Sequence, residues 1–381
     1  MASILVIDED ELLKDIIANT LKKAGHEVEK SASQDEAMEL IKVGAYHTVI
    51  ASRPGSMNML KSLKSILPDA EIIIMTDHSI TEEAAEAMKS GVWSYLVKPI
   101  SLEQLNLTIN RALEKRQLAA TMKHLQEKAI EKYRFENIVA ANEKMLHALE
   151  LAEQASRDNM PVLITGERGT GKHLIGKTIH TTSLRRREPF IYIDLNAVDE
   201  ENMESAIFGS VNGTARNVRG GIEKADRGTV FLREITLARN AIQEKLLDLL
   251  EYNMLYRVGS GDVIYVDARL IATSASDIQE SMLRSHLFQR LNEGWIYLPP
   301  LRERKDEIPL LADHFMRKYS KQFGKDSQDM SEDALQLLME YDWPGNVREL
   351  ENTIRRAVAF ASDGTIPASR LSQILNPIAV T

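Results

Sequence analysis

From residue 1 to about 115, short apolar runs alternate with segments of helical spacing. The runs are Ile4-Leu5-Val6-Ile7, Thr48-Val49-Ile50, Ile72-Ile73-Ile74-Met75 and Tyr95-Leu96-Val97. Each is too short for a helix and largely apolar, as a strand reads when both its faces are buried. Between them, Leu12 to Ala24, Gln34 to Val43, Thr81 to Ser90 and Leu102 to Glu114 carry apolar residues at the helix period. The alternation predicts an α/β fold, a parallel sheet with helices on both faces. Ligands of such sheets bind at the carboxyl ends of the strands. Asp8, Glu9, Ser52, Thr76 and Lys98 fall there.

A second pattern of this kind surrounds the run Val162-Leu163-Ile164. It is followed by Gly166 to His173, reading GERGTGKH, and then by a helical stretch, Leu174 to His180. A Gly-x4-Gly-Lys segment between a buried strand and a helix is a phosphate cradle. Its glycines let backbone N–H groups turn inward, the helix N-terminus favours anionic charge, and Lys172 reaches the outer phosphates. Gly166, Glu167, Arg168, Gly169, Thr170, Gly171, Lys172 and His173 are therefore candidate nucleotide-binding residues. A chance glycine-rich turn is the bland alternative, and the flanking strand and helix argue against it.

Leu105 to Tyr133, between the two patterns, contains no proline or glycine. Leu118, Met122, Leu125, Ala129 and Tyr133 are spaced close to a coiled-coil seam. Two readings stay open: an amphipathic helix packed on its own domain, or a signalling helix that dimerises the chain.

Composition narrows the class. The chain has 381 residues, long enough for two or three domains, and 44% hydrophobic content can bury real cores. A formal net charge of -9 offers no global basic footprint for nucleic acid, so direct DNA binding is not expected. The absence of cysteine excludes disulfides and thiolate metal sites and fits a reducing cytoplasm. No apolar run approaches membrane-spanning length, and the acids that follow the first apolar run are unlike a signal peptide. A cytoplasmic protein without membrane contact is expected.

The strand-end residues of the first pattern resemble the receiver domain of two-component response regulators. The acidic pair Asp8-Glu9, Thr76, Tyr95 and Lys98-Pro99 match. The family's phospho-accepting aspartate aligns with Ser52, in Ile50-Ala51-Ser52-Arg53-Pro54. The aspartate both attacks phosphorus and helps hold magnesium. A serine hydroxyl without a neighbouring base is a poor nucleophile, and Arg53 places positive charge where a cation would lie. The reading is a receiver fold kept for packing and protein contacts. Phosphorylation of Ser52 or a nearby acid is the alternative.

From Phe135 to about Leu375 the chain resembles the AAA+ domain of sigma-54-interacting transcription activators, the NtrC family. The resemblance rests on Phe135-Glu136-Asn137-Ile138-Val139, on GERGTGKH as Walker A, and on Glu204-Ser205-Ala206-Ile207-Phe208-Gly209. It extends to LPPLRERKDEIP from Leu298 and WPGNVRELEN from Trp343. It implies ATP or ADP as ligand and a doubly wound nucleotide-binding subdomain followed by a helical lid. Arg348 becomes the arginine that reaches the nucleotide from the lid. Arg284 and Arg290, in MLRSHLFQRLN, become those that reach into a neighbouring subunit's site in a ring. Ordinary salt bridging is the alternative for both.

Several positions depart from the family. Where its Walker B strand ends in Asp-Glu, this chain has Arg233-Glu234, which keeps the glutamate that polarises water and removes magnesium's usual support. Arg233 either repels the ion and pairs with phosphate oxygens, or turns away to another acid. His173 replaces a glutamate, Asp194 an asparagine that holds the catalytic glutamate, and Ser274-Ala275 the usual sensor I residues. Between Gly209 and Gly221 the family's sigma-54-contacting GAFTGA tip is missing, the loop is shorter, and Arg216 and Arg219 appear. Arg185-Arg186-Arg187 reads as a solvated loop, with a phosphate contact as the alternative. No helix-turn-helix segment precedes Thr381.

The expected organisation is a receiver-like domain at 1–115, a helical linker at 116–134, a nucleotide-binding subdomain at 135–303, a lid at 304–376 and a tail at 377–381. The expected function is a nucleotide-binding regulator that acts by oligomerisation and protein contact, with impaired phosphorylation and impaired hydrolysis. Its partners would be further copies of itself, through the linker helix or an AAA+ ring, a paralogous regulator, or another signalling protein. The competing readings are a working ATPase regulator whose DNA-binding domain is supplied in trans, and a nucleotide-sensing adaptor unrelated to transcription.

Overall fold

The structure, a computed structural model, describes residues 1–52, 57–77, 92–212, 216–275, 278, 282–325, 329–361 and 364–375. The chain divides into two compact units, Met1–Gln126 and Glu127–Thr381. The expected helix from Thr81 to Ser90, Arg53 and the tail lie outside the described residues.

The first unit runs β1 (Ser3–Ile7), α1 (Glu11–Lys23), β2 (Glu27–Ser31), α2 (Gln34–Val43), β3 (Thr48–Ser52), α3 (Met57–Ile66), β4 (Glu71–Thr76) and β5 (Ser94–Val97). All strands are parallel, in the order β2-β1-β3-β4-β5. Side chains alternate across a sheet, so each apolar run serves two cores. Leu5, Ile7, Val49, Ile72 and Ile74 pack with Ala37, Ile41 and Leu63 on one face. Ile4, Val6, Ile50, Ile73 and Met75 pack with Ile17, Leu21, Leu105 and Ile109 on the other.

A long helix, α4 (Leu102–Lys132), begins in this unit. The expected domain helix and linker are thus one uninterrupted element, as a stretch without proline or glycine allows. Its first turns bury Leu105, Ile109 and Ala112, whereas Leu118, Met122 and Leu125 stand 66%, 63% and 59% exposed.

The second unit continues with α5 (Glu143–Arg157), β6 (Val162–Thr165), α6 (Lys172–Thr182), β7 (Phe190–Asp194), α7 (Met203–Phe208), β8 (Gly209–Asn212), β9 (Arg216–Arg219) and α8 (Gly221–Lys224). It then forms β10 (Thr229–Arg233), α9 (Asn240–Tyr252), β11 (Met254–Tyr256), β12 (Val263–Tyr265), β13 (Arg269–Ser274), α10 (Ser285–Asn292) and β14 (Trp295–Tyr297). Its main sheet is parallel, in the order β14-β6-β13-β10-β7. Four helices follow: α11 (Ile308–Phe323), α12 (Glu332–Glu340), α13 (Asn346–Phe360) and α14 (Ala368–Leu375). They enclose a separate core around the fully buried Trp343, whose indole N–H donates to the Leu338 carbonyl at 2.7 Å.

The segment where the family carries its sigma-54 contact is a short hairpin, β8 paired with β9; Gly213, Thr214 and Ala215 at its tip lie outside the described residues. Arg219 is engaged at the hairpin base. It donates to Glu223 at 2.9 Å, and Arg257 donates to both oxygens of the same carboxylate at 3.0 and 2.7 Å.

Candidate functional site

In the first unit the strand ends bring four of the five expected residues to one edge. Asp8 follows β1 and is buried; its Oδ2 accepts from Lys98 Nζ at 2.9 Å and its Oδ1 from the Asp10 backbone N–H at 3.0 Å. Ser52 ends β3 and Thr76 ends β4, both half-buried. Glu9 departs from the expectation. It is exposed, and Asp10 next to it caps α1 by accepting from the Leu12 and Leu13 N–H groups.

In the second unit GERGTGKH forms the turn between β6 and α6. Gly166, Gly169 and Gly171 have φ of 148°, 88° and 112°, a backbone region open to glycine and strained for other residues. A Cβ on Gly169 would lie 2.1 Å from the Gly345 carbonyl oxygen. Thr170 is buried and braces the loop by donating to the Glu167 carbonyl at 2.8 Å. Lys172 Nζ folds back onto the carbonyls of Gly166 and Glu167 and lies 4.0 Å from Glu234. Burial draws its pKa below the ordinary lysine value, with the Glu234 carboxylate opposing.

The lid grips this loop through residues to which the sequence reading gave no role. Arg302 makes a bidentate pair with Glu167 at 2.9 and 2.6 Å, which holds that carboxyl below its ordinary pKa. Asn346, fully buried at φ 55°, donates to Glu167 at 3.1 Å and to the Arg168 carbonyl at 3.0 Å, and accepts from the Leu301 N–H at 2.7 Å. The buried Arg304 donates to the Thr170 carbonyl at 3.1 Å. All three lie within the two motifs read around Leu298 and Trp343, which was the available signal. The Glu167 side chain thus faces the lid. Arg348 donates its backbone N–H to the Gly169 carbonyl at 3.3 Å, and its side chain lines a cleft of about 1600 Å³ with Arg168, Lys172, His173, Arg233 and Glu234.

At the end of β10, Arg233 neither points at the phosphate cradle alone nor stands as free charge. The register pairs it with Asp194 on β7, and the two side chains form a hydrogen-bonded ion pair. Asp194 also accepts from the Asn196 N–H at 3.1 Å, and these bonds outweigh burial and lower its pKa. Of the two readings of Arg233, the structure holds the one in which it turns to another acid, and that acid is Asp194. Asp194, in place of an asparagine that would hold Glu234, holds Arg233. Glu234 adopts φ 59° and donates its N–H to Thr273 Oγ1 at 3.3 Å. His173 stacks edge-on against Tyr192 and Phe231, with centroids 5.1 and 5.5 Å away. Lost hydration, then the charges of Lys177 and Arg233, lower its pKa, so it is neutral at pH 7.

Arg284 pairs with Glu244, and Arg290 with Glu293 at 3.0 Å; neither lines the cleft of its own chain. Ser274 is buried, and its Oγ has no hydrogen-bond partner among the described residues. Arg185 corrects the reading of a solvated arginine run: it is fixed by Asp267 at 2.6 Å and by the Gly228 and Asp267 carbonyls. Arg186 and Arg187 are exposed.

Comparison with known proteins agrees with this geometry. Residues 4–110 match the response regulator receiver domain, 138–297 the sigma-54 interaction domain and 302–379 an AAA+ ATPase lid domain. The chain is 33% identical to the regulatory protein AtoC of Escherichia coli K12, over 98% of this chain and 84% of that one. It is 34% identical to the transcriptional regulatory protein ZraR of Salmonella typhimurium LT2, over 94% and 82%. The crystal structure of NtrX from Brucella abortus in complex with ATP superposes with a TM-score of 0.63 at 28% identity, covering 99% of this chain and 85% of that one. The same protein in complex with ADP gives 0.62 at 27%, with the same coverage. With a receiver domain followed by a sigma-54 interaction domain and its lid, the chain belongs to the NtrC family of response regulators.

Proposed function

We propose that this chain is a nucleotide-binding regulator that holds ATP or ADP, hydrolyses it slowly, and acts through self-association and protein contact. The observation that carries the reading is the Arg233 and Asp194 ion pair beside an intact glycine cradle. The cradle fits a nucleotide's phosphates: three glycines keep the loop open, Lys172 supplies the charge, and Arg348 lines the same cleft from the lid. Bound magnesium, in enzymes of this kind, neutralises phosphate charge and orients the outer phosphoryl group. Here an arginine ends β10 and pairs with Asp194 at the end of β7, and His173 is neutral. Glu234 remains as the base, and magnesium contributes little to binding. NtrX, crystallised with ATP and with ADP, supports the ligand class.

The receiver pocket acts without phosphorylation, because Ser52 stands where the acceptor is needed. Self-association is supported by the exposed Leu118, Met122 and Leu125 on one helix and by Arg284 and Arg290, which lie away from their own chain's cleft. The short hairpin without the family's aromatic tip gives no handle on sigma-54. One observation favours a second reading, a working ATPase: Glu234 is kept, within 4.0 Å of Lys172.

Titration of nucleotide with and without a chelator, beside a steady-state ATPase assay, tests the proposal. The unmodified chain is expected to bind with little magnesium dependence and to turn over slowly. Arg233→Asp alone would set two carboxylates against each other across β10 and β7, so the informative variant is Arg233→Asp with Asp194→Asn. That variant should gain magnesium dependence and turnover. Fast magnesium-dependent hydrolysis by the unmodified chain would overturn the reading in favour of the second.

A further inference from the structure

A smaller cleft of about 350 Å³ lies on the other side of the contact between the P-loop and the lid. Gly169 faces the nucleotide cleft and Gly345 the outer one, and these two backbones touch. Three arginines line the outer cleft: Arg168 from the loop, and Arg348 and Arg356 from α13. On a helix Arg348, Asn352 and Arg356 form one stripe, about 12 Å from end to end. None of the three guanidiniums makes an ion pair among the described residues, whereas Arg302, Arg304 and Arg317 nearby in the chain are all paired. Glu349 is the acid of the cleft, and one of its oxygens is committed to the Gly345 N–H at 2.8 Å. An excess of positive charge is thus held in a concave site of a chain whose net charge is -9.

We propose that this outer cleft is a second anion site, which takes a small chain of two or three phosphates. Guanidinium groups pair phosphate oxygens bidentately, and three of them around one cleft suit a polyphosphate better than a single carboxylate. The volume suits a small molecule and not a folded partner. Arg168 and Arg348 border both clefts, so an anion in the outer one draws their charge from the inner one. Occupancy therefore weakens nucleotide binding, and by linkage nucleotide weakens the second anion, each about fivefold or more.

The experiment uses the full chain with Lys172→Ala, which cripples the inner cleft. Calorimetric titration with inorganic tripolyphosphate should still show one site. Adding Arg356→Glu should weaken that binding at least about tenfold, as loss of a charge-assisted pair does. Arg356 is exposed, and an unchanged melting temperature separates lost binding from lost folding. Loss of all tripolyphosphate binding in Lys172→Ala, or binding indifferent to Arg356→Glu, overturns the proposal. Guanosine triphosphate as a second probe distinguishes the ligand's source: equal affinity assigns a free polyphosphate, and tighter binding assigns a nucleotide whose body reaches Ile374 and Leu375. Arg356→Glu alone should leave ATP binding to the inner cleft intact, so failure here is distinct from failure of the nucleotide reading.

Discussion

Both parallel sheets of this chain carry, at their carboxyl edges, a carboxylate paired with a cation: Asp8 with Lys98 in the first unit and Asp194 with Arg233 in the second. Around those pairs the two edges differ. The first has a hydroxyl, Ser52, where phosphoryl chemistry needs a carboxylate. The second keeps a glycine cradle, a lysine and a glutamate beside its ion pair. Binding and chemistry draw on different groups. A phosphate cradle is built from backbone and one lysine and survives loss of the metal's acid. A receiver pocket has its nucleophile and part of its metal site in one carboxylate, so a single substitution removes both.

The largest effect that would break this contrast is at Lys172. Lys172→Ala should weaken ATP binding by roughly 10- to 100-fold, the worth of a charge-assisted contact of about 1.5–3 kcal/mol. Lys98→Ala, its counterpart at the other edge, should leave ATP affinity unchanged. Equilibrium titration with a fluorescent ATP analogue measures both. If Lys172→Ala binds like the parent, the second edge is no more a working site than the first.

Much of this contrast was legible in the sequence because it rests on local pattern. The four apolar runs of the first unit are four of its strands, and GERGTGKH is the turn it reads as. Pairings across long separations were not legible. Arg233 meets Asp194 because β10 and β7 are register partners 39 residues apart, and Glu167 meets Arg302 across 135. In each case both partners carried a sequence signal, Arg233 and Asp194 as departures from the family, Glu167 and Arg302 inside its motifs, but nothing in spacing says which charges meet. The anchoring of Arg185 is hidden in the sequence for the same reason: its partner Asp267 is 82 residues away. Helix continuity from Leu102 to Lys132 is visible in the absence of breakers, and the division between the two compact units, after Gln126, falls inside it.

A middle-sized effect asks whether the second unit's acid response arises in its packing and not at its ion pair. His180 is buried against Thr229, its ring nitrogen 2.9 Å from that hydroxyl, and burial pushes its pKa down to about 4. The folded value lies below the unfolded one of 6.5, so the unfolded state binds the proton first. The stability this residue protects is complete above pH 6.5 and is lost as pH falls through that window toward 4. At pH 5 the loss is about 2 kcal/mol relative to pH 8. Urea unfolding followed by Trp295 and Trp343 in a Trp93→Phe background reads the second unit. His180→Gln should flatten the response between pH 6.5 and 4 while leaving nucleotide affinity at pH 7.5 unchanged. An unaltered acid limb would move the sensitivity to the carboxylates at the sheet edge.

The smallest expected effect is at the first edge, where acetyl phosphate should leave residues 1–115 without an adduct. Ser52 is half-buried at the end of β3, and the buried carboxylate at the end of the neighbouring β1, Asp8, is held by Lys98 at 2.9 Å and by the Asp10 N–H, so it is not poised to deprotonate the hydroxyl. An unactivated serine does not compete with water for a small phosphodonor. Ser52→Asp restores the missing carboxylate next to Asp8, Thr76 and Lys98, and a small labile adduct is expected in that variant alone, seen by intact-mass measurement and lost on base treatment. An adduct on the unmodified chain that maps to this region would erase the difference between the two edges. No adduct in Ser52→Asp would show instead that the rest of the pocket, including Arg53 beside it in sequence, no longer accommodates phosphoryl transfer. The first edge would then be further from catalysis than a single residue, and the contrast with the retained cradle would be wider.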